Sequence, residues 1–82
     1  DTLMATYAPL NPVPQTWTTA PAASETVVWQ VRSGTVLLTT GDTASDDAAM
    51  VLTAPYALPI GPNNPVSYRA ATAGAHISRN AV

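Results

Sequence analysis

Eighty-two residues and 8.5 kDa allow one domain at most and sit near the lower limit for folding alone. The net charge is −2, with three Arg, no Lys and no Cys, which excludes a cationic phosphate-binding patch, disulfide staples and thiolate metal sites. Fifteen of the apolar residues are Ala, leaving 23 larger ones; at ~1.5 to 3 kcal/mol per well-buried large side chain, these roughly balance the ordering entropy, so packing against copies or a partner is expected.

Residues 1–25 read as an extended arm. Pro9, Pro12, Pro14 and Pro21 each remove a backbone donor and bias the preceding residue to extended geometry. The run Pro-Leu-Asn-Pro-Val-Pro suggests polyproline-like backbone, with an edge strand at Gln15–Thr19. Leu3, Met4, Tyr7, Leu10, Val13 and Trp17 are too apolar for an idle tail. Such an arm either covers an edge of its own sheet or reaches a neighbouring subunit.

Residues 26–82 read as a small β domain. Thr26–Arg32 is β-branched and aromatic, Ser33-Gly34 is a turn signal, and Thr35–Thr40 is again β-branched. A two-residue loop at Ser33-Gly34 predicts a hairpin pairing Arg32 with Thr35, Val31 with Val36 and Trp29 with Leu38. Val27, Trp29, Val31, Val36 and Leu38 then share a core face, and Val28, Gln30, Arg32, Thr35, Leu37 and Thr39 share the other. Residues 41–49 are small and acidic and read as a surface loop begun by Gly41-Asp42, with at most one helical turn over Ala44–Leu52. Two short strands follow, Met50–Ala54 and Tyr56–Ile60, and Pro59 marks the second as an edge or a bulge. Residues 61–65, Gly-Pro-Asn-Asn-Pro, form a turn. A second hairpin is expected around Ala73-Gly74, pairing Ala70 with Ile77 and Arg69 with Ser78. Val66, Tyr68, Ala70 and Ile77 would share one face, and Ser67, Arg69, Ala71, His76 and Ser78 the other. Short strands with a turn signal every ~8–12 residues indicate an all-β fold, a small antiparallel sandwich or barrel.

The sequence names no chemistry outright. Asp42, Asp46 and Asp47 lack the alternating spacing of a calcium loop and read as a solvated acidic loop. His76 is the single His; Ser67 and Ser78 share its expected face, but neither sits in a nucleophile-elbow motif, so an enzyme is not expected. Arg32 and Arg69, in so sparsely charged a chain, should each have a fixed carboxylate partner: Asp42, Asp46, Asp47 or Glu25, or an acid on another subunit. Trp29 belongs to the core face. Trp17 is the better interface anchor. No cofactor is expected. No apolar run approaches the ~18 residues of a membrane span. No leader with a positive and then an apolar region is visible.

The residues Val28-Trp29-Gln30-Val31-Arg32-Ser33-Gly34-Thr35-Val36-Leu37-Leu38, then Ser45-Asp46-Asp47, Ala57-Leu58-Pro59-Ile60-Gly61, Tyr68-Arg69-Ala70 and Gly74-Ala75-His76-Ile77-Ser78-Arg79 carry a resemblance. Over residues 26–80 the chain resembles small β-rich structural proteins of tailed bacteriophage virions, most of all capsid decoration, or cement, proteins. The Pro-rich arm is similar to the extended N-terminal arms by which such proteins grip the shell. The resemblance implies a homo-oligomer, with a trimer favoured, bound to the major capsid protein on the outer surface of the capsid. It implies no catalysis, no nucleic acid and no membrane. On this reading Tyr7, Leu10, Val13 and Trp17 are the partner-binding residues, and Trp29, Val31, Val36, Leu38, Tyr68 and Ile77 are core. The alternative is a receptor- or carbohydrate-binding module of a head fibre or tail, anchored by Trp17 and Tyr56.

Overall fold

A computed structural model describes residues 6–40 and 45–81. Leu3, Met4, Gly41, Asp42 and Ala44, which the sequence reading assigns to the arm and the acidic loop, lie outside the described residues.

Among the described residues, eight strands run in the order β1 (Thr6–Leu10), β2 (Thr18–Ala20), β3 (Val27–Ser33), β4 (Thr35–Thr40), β5 (Met50–Thr53), β6 (Tyr56–Ile60), β7 (Val66–Ala70) and β8 (His76–Ala81). They form two four-stranded antiparallel sheets. Sheet A has the order β1-β8-β3-β6 and sheet B the order β2-β7-β4-β5. The fold is therefore an antiparallel β-sandwich, and this strand order is that of a jelly roll. Of the seven connections, only β4 to β5 stays within a sheet.

The sorting of residues follows the strand period of two. Along β3, Val27, Trp29 and Val31 point inward and are buried. Along β4, Val36 and Leu38 do the same. Tyr68 and Ala70 of β7, Ile77 and Ala81 of β8, Leu52 of β5 and Ile60 of β6 join them in the core. Trp29 of sheet A meets Tyr68 of sheet B with ring centroids 5.6 Å apart and planes tilted by 57°, a favourable aromatic arrangement. All six residues expected in the core are buried.

Both expected hairpins are corrected. Val31 pairs with Ile77 and Tyr56, and Val36 pairs with Ala70 and Leu52, so β3 and β4 are not neighbours. Likewise Ala70 lies opposite Val36 and Arg69 opposite Leu37, while Ile77 and Ser78 lie opposite Val31 and Gln30. Each supposed turn is a corner where the chain passes from one sheet to the other. A tight primed turn needs a positive φ at its first central residue. Here only the second residue has it, Gly34 at 76° and Gly74 at 80°.

The two corners interlock. Ser33 Oγ donates to the Gly74 carbonyl at 3.3 Å, the Thr35 amide donates to Thr72 Oγ1 at 3.0 Å, and the Ala71 amide donates to the Thr35 carbonyl at 2.9 Å. The N-terminal segment joins them: the Val13 amide donates to the Ala75 carbonyl, and the Pro14 carbonyl accepts from the Ala70 amide. Residues 6–25 thus lie along the sandwich and give each sheet one edge strand. The strand expected at Gln15–Thr19 begins later, at Thr18. Pro59 does stand on an edge strand, β6.

Candidate functional site

Two clusters, each built around an Arg and an aromatic ring, flank the segment that carries the expected partner-binding residues. The first lies in sheet A. The register places Tyr7, Arg79, Trp29 and Leu58 side by side on β1, β8, β3 and β6. This is an inward-facing row, so Arg79 enters the space between the sheets. Its guanidinium carbon stands 5.2 Å from the Trp29 ring centroid and 5.9 Å from that of Tyr7, within cation–π range of both. Its Nε and Nη2 donate to the Ala8 carbonyl at 3.2 and 2.6 Å, which ties β1 to β8. The Tyr7 hydroxyl donates to Glu25 Oε2 at 2.6 Å. That hydrogen bond, followed by partial desolvation, holds the Tyr7 phenol above its ordinary pKa.

These side chains wall a cleft of about 170 Å³ at the end of the sandwich where residues 20–23 approach the 61–65 turn. Val27, Ile60 and Val66 give it an apolar floor, and Arg79 and Asn64 supply its polar groups. The Asn63 amide closes the rim by donating to the Ala23 carbonyl at 2.7 Å. The cleft is smaller than the ~300–1,000 Å³ of drug-sized ligand pockets, and its size suits a single side chain or a small molecule.

The second cluster lies on the outer face of sheet B. Asp46 accepts from Arg69 through two parallel bonds, Nε to Oδ1 at 3.0 Å and Nη2 to Oδ2 at 2.9 Å. Trp17 Nε1 also donates to Asp46 Oδ1 at 3.0 Å. The Arg69 guanidinium carbon lies 6.0 Å from the Trp17 ring centroid. One carboxylate thus pins the 45–49 loop to β7 and to the segment before β2. The Arg69 bonds, and then the Trp17 bond, hold the Asp46 carboxyl below its usual range, and Asp46 raises the Arg69 pKa in return.

The expected partner-binding residues have different fates. Val13 is 2% exposed and belongs to the chain's own core, so its assignment as a partner contact is corrected. Tyr7 and Leu10 are half-buried against that core. Trp17 is half-buried in the Asp46 cluster. Arg69 finds an intrachain carboxylate among those expected, Asp46. His76 and Ser78 belong to one strand of sheet A, but Ser67 is on the outer face of sheet B, so the expected common face of His76 and Ser67 is also corrected. Trp17 and Tyr56 belong to opposite sides of the sandwich and do not form one platform. The sequence reading gives Arg79 neither a face nor a partner, although the structure makes it an inward position of β8. Its spacing of two from Ile77 was the available signal.

The fold defines an eight-stranded jelly-roll sandwich with a small aromatic-walled cleft. The sequence matches no family model, and no curated protein matches it significantly.

Proposed function

We propose that the chain is a structural virion protein that decorates and cements a bacteriophage capsid from its outer surface, as a homo-oligomer bridging neighbouring major capsid subunits. The strand order carries this reading: the jelly roll recurs in viral capsid domains, and here it is joined to the composition and segment pattern that resemble decoration proteins. Fold alone does not assign function. The surface chemistry adds support, because among the described residues the large apolar side chains left exposed are Met50, Val51 and Tyr56, all on the β5–β6 segment.

The mechanism is mass action. A protein that binds the assembled lattice and not the free subunits stabilises the shell by RT ln(1 + [L]/Kd) per site, about 2.7 kcal/mol when its free concentration is 100 Kd. Calorimetry of capsids from the encoding genome, with and without saturating chain, tests it. An upward shift in shell melting is expected, and an unchanged melting profile at saturation would overturn the reading.

A receptor- or carbohydrate-binding module is the second reading. Jelly rolls also serve as lectin domains, and the cleft walled by Tyr7 and Trp29 is the observation that favours it. Glycan binding lost on Arg79→Met, with shells unaffected by the chain, would select it over the first.

A further inference from the structure

The two sheets have four edges between them, β1 and β6 in sheet A and β2 and β5 in sheet B. Exposed edges invite pairing with other chains, and proteins blunt them with proline, charge or brevity. Three edges here are blunted. β1 contains Pro9, β6 contains Pro59, and β2 is three residues long and followed by Pro21. The fourth, Met50-Val51-Leu52-Thr53, has no proline, no glycine and no charge. It also carries two of the exposed large apolar residues, Met50 at 39% and Val51 at 66%.

The hydrogen-bond phase shows which groups of β5 face outward. The Ala54 amide donates to the Gly34 carbonyl at 3.1 Å. Antiparallel ladders alternate, and the register pairs Leu52 with Val36 and Met50 with Leu38. Ala54, Leu52 and Met50 therefore bond inward to β4. The amides and carbonyls of Val51 and Thr53 point away from the sheet.

We propose that β5 pairs antiparallel with β5 of a second copy of this chain, about a two-fold axis at Leu52. Val51 then faces Thr53 of the partner subunit, and Thr53 faces the partner's Val51. All four outward groups on each strand are satisfied, giving four hydrogen bonds and one continuous eight-stranded sheet. The contact is isologous, so it closes as a dimer. A trimer, which the resemblance implies, would need a different, head-to-tail contact. An uncharged strand suits a copy of itself, because pairing brings no like charges together. Val51 and Thr53 lie on one face, so the partner's Thr53 covers the exposed Val51. This inference concerns the chain in solution and does not rest on the shell reading.

Proline substitution separates this contact from the fold. Val51→Pro and Thr53→Pro each remove an amide that points outward, which an edge strand tolerates. Sedimentation equilibrium of the full chain should show a dimer. Each variant should weaken it about tenfold or more, the loss expected for two hydrogen bonds per pair. Should either variant fail to fold, cysteine pairing gives an independent reading, since the chain has no Cys of its own. A mixture of Val51→Cys and Thr53→Cys chains should form interchain disulfides faster than either alone, because those positions lie opposite one another. A wild-type chain that stays monomeric at millimolar concentration would overturn the proposal. So would folded proline variants with undiminished dimerisation, or cysteine mixtures that crosslink no faster than the single variants.

Discussion

Gly34 and Gly74 occupy the same kind of corner, and alanine at each should have unequal cost. Both have a left-handed backbone, with φ of 76° and 80°. That conformation costs an L residue about 1–2 kcal/mol at either position. Their surroundings differ. A Cβ at Gly34 would come within 2.8 Å of Thr72 Oγ1 and 3.0 Å of both the Cα and the Cβ of Ala75, whereas a Cβ at Gly74 meets nothing within 4 Å. The Thr72 hydroxyl can rotate away by giving up its bond from the Thr35 amide, but the Ala75 backbone cannot. It is held in the core and bonded to the Val13 amide. Forcing a methyl into a packed site costs a further ~1–3 kcal/mol. Gly34→Ala should therefore destabilise by about 2–5 kcal/mol and Gly74→Ala by about 1–2 kcal/mol. Urea unfolding followed by tryptophan fluorescence reads the difference. In a domain of this size each kcal/mol also moves the melting temperature by roughly 4–8 °C. Adding Thr72→Ala to Gly34→Ala should recover only part of the loss. Equal midpoints for the two single variants would refute the claim that the Gly34 corner is closed down on Ala75.

Ile77→Ala should cost about 2–5 kcal/mol in the same assay, as expected for emptying a fully buried aliphatic site. Asp46→Asn should loosen the 45–49 loop and shift Trp17 emission, which tryptophan fluorescence detects, while leaving the core signal from Trp29 in place. The Asp46 carboxyl is depressed in the folded chain, so its contribution is present above the unfolded carboxylate pKa and is lost as pH falls through the folded value. An acid titration of stability should thus be shallower in Asp46→Asn than in the wild type. The Tyr7 phenol is raised, so its contribution is present below the ordinary tyrosine pKa and is lost as pH rises through the folded value. Spectrophotometric titration should find Tyr7 ionising above the ordinary tyrosine range, and Glu25→Gln should bring it down.

The inside-outside assignment was legible in the chain because it depends only on the period of two. Trp29, Val31, Tyr68 and Ile77 alternate with polar or smaller residues, Val36 and Leu38 flank a Leu37 that is buried on the outward row with Arg69, and all six face the core. Strand pairing was not legible, because a hairpin and a sheet-crossing corner present the same alternation. If β3 and β4 paired, their apolar residues would share one face of one sheet. In the jelly roll the same residues face each other across the core. The discriminating detail was small: glycine is second in Ser33-Gly34 and in Ala73-Gly74, where a two-residue primed turn calls for positive φ at the first position as well. The Arg69–Asp46 pair was foreseeable from sparse charge. The Arg79 row depended on β8 lying between β1 and β3, a long-range neighbour relation that no local pattern encodes. The fate of the Pro-rich segment followed from the same relation. Val13 reads as a partner anchor until the Ala75 carbonyl is seen to hold its backbone beside the core. Removing residues 1–20 would strip an edge strand from each sheet, so point variants such as Trp17→Ala are the usable probes of that segment.

The most direct test of the shell-binding role is a pelleting comparison at equal subunit concentration. The purified chain is mixed with assembled capsids of the encoding genome in one arm and with unassembled major capsid protein in the other. Saturable binding to the shells, with none to the free subunits, is the expected result. Binding to neither, or equal binding to both, would contradict a protein that stabilises the lattice by selecting its assembled state.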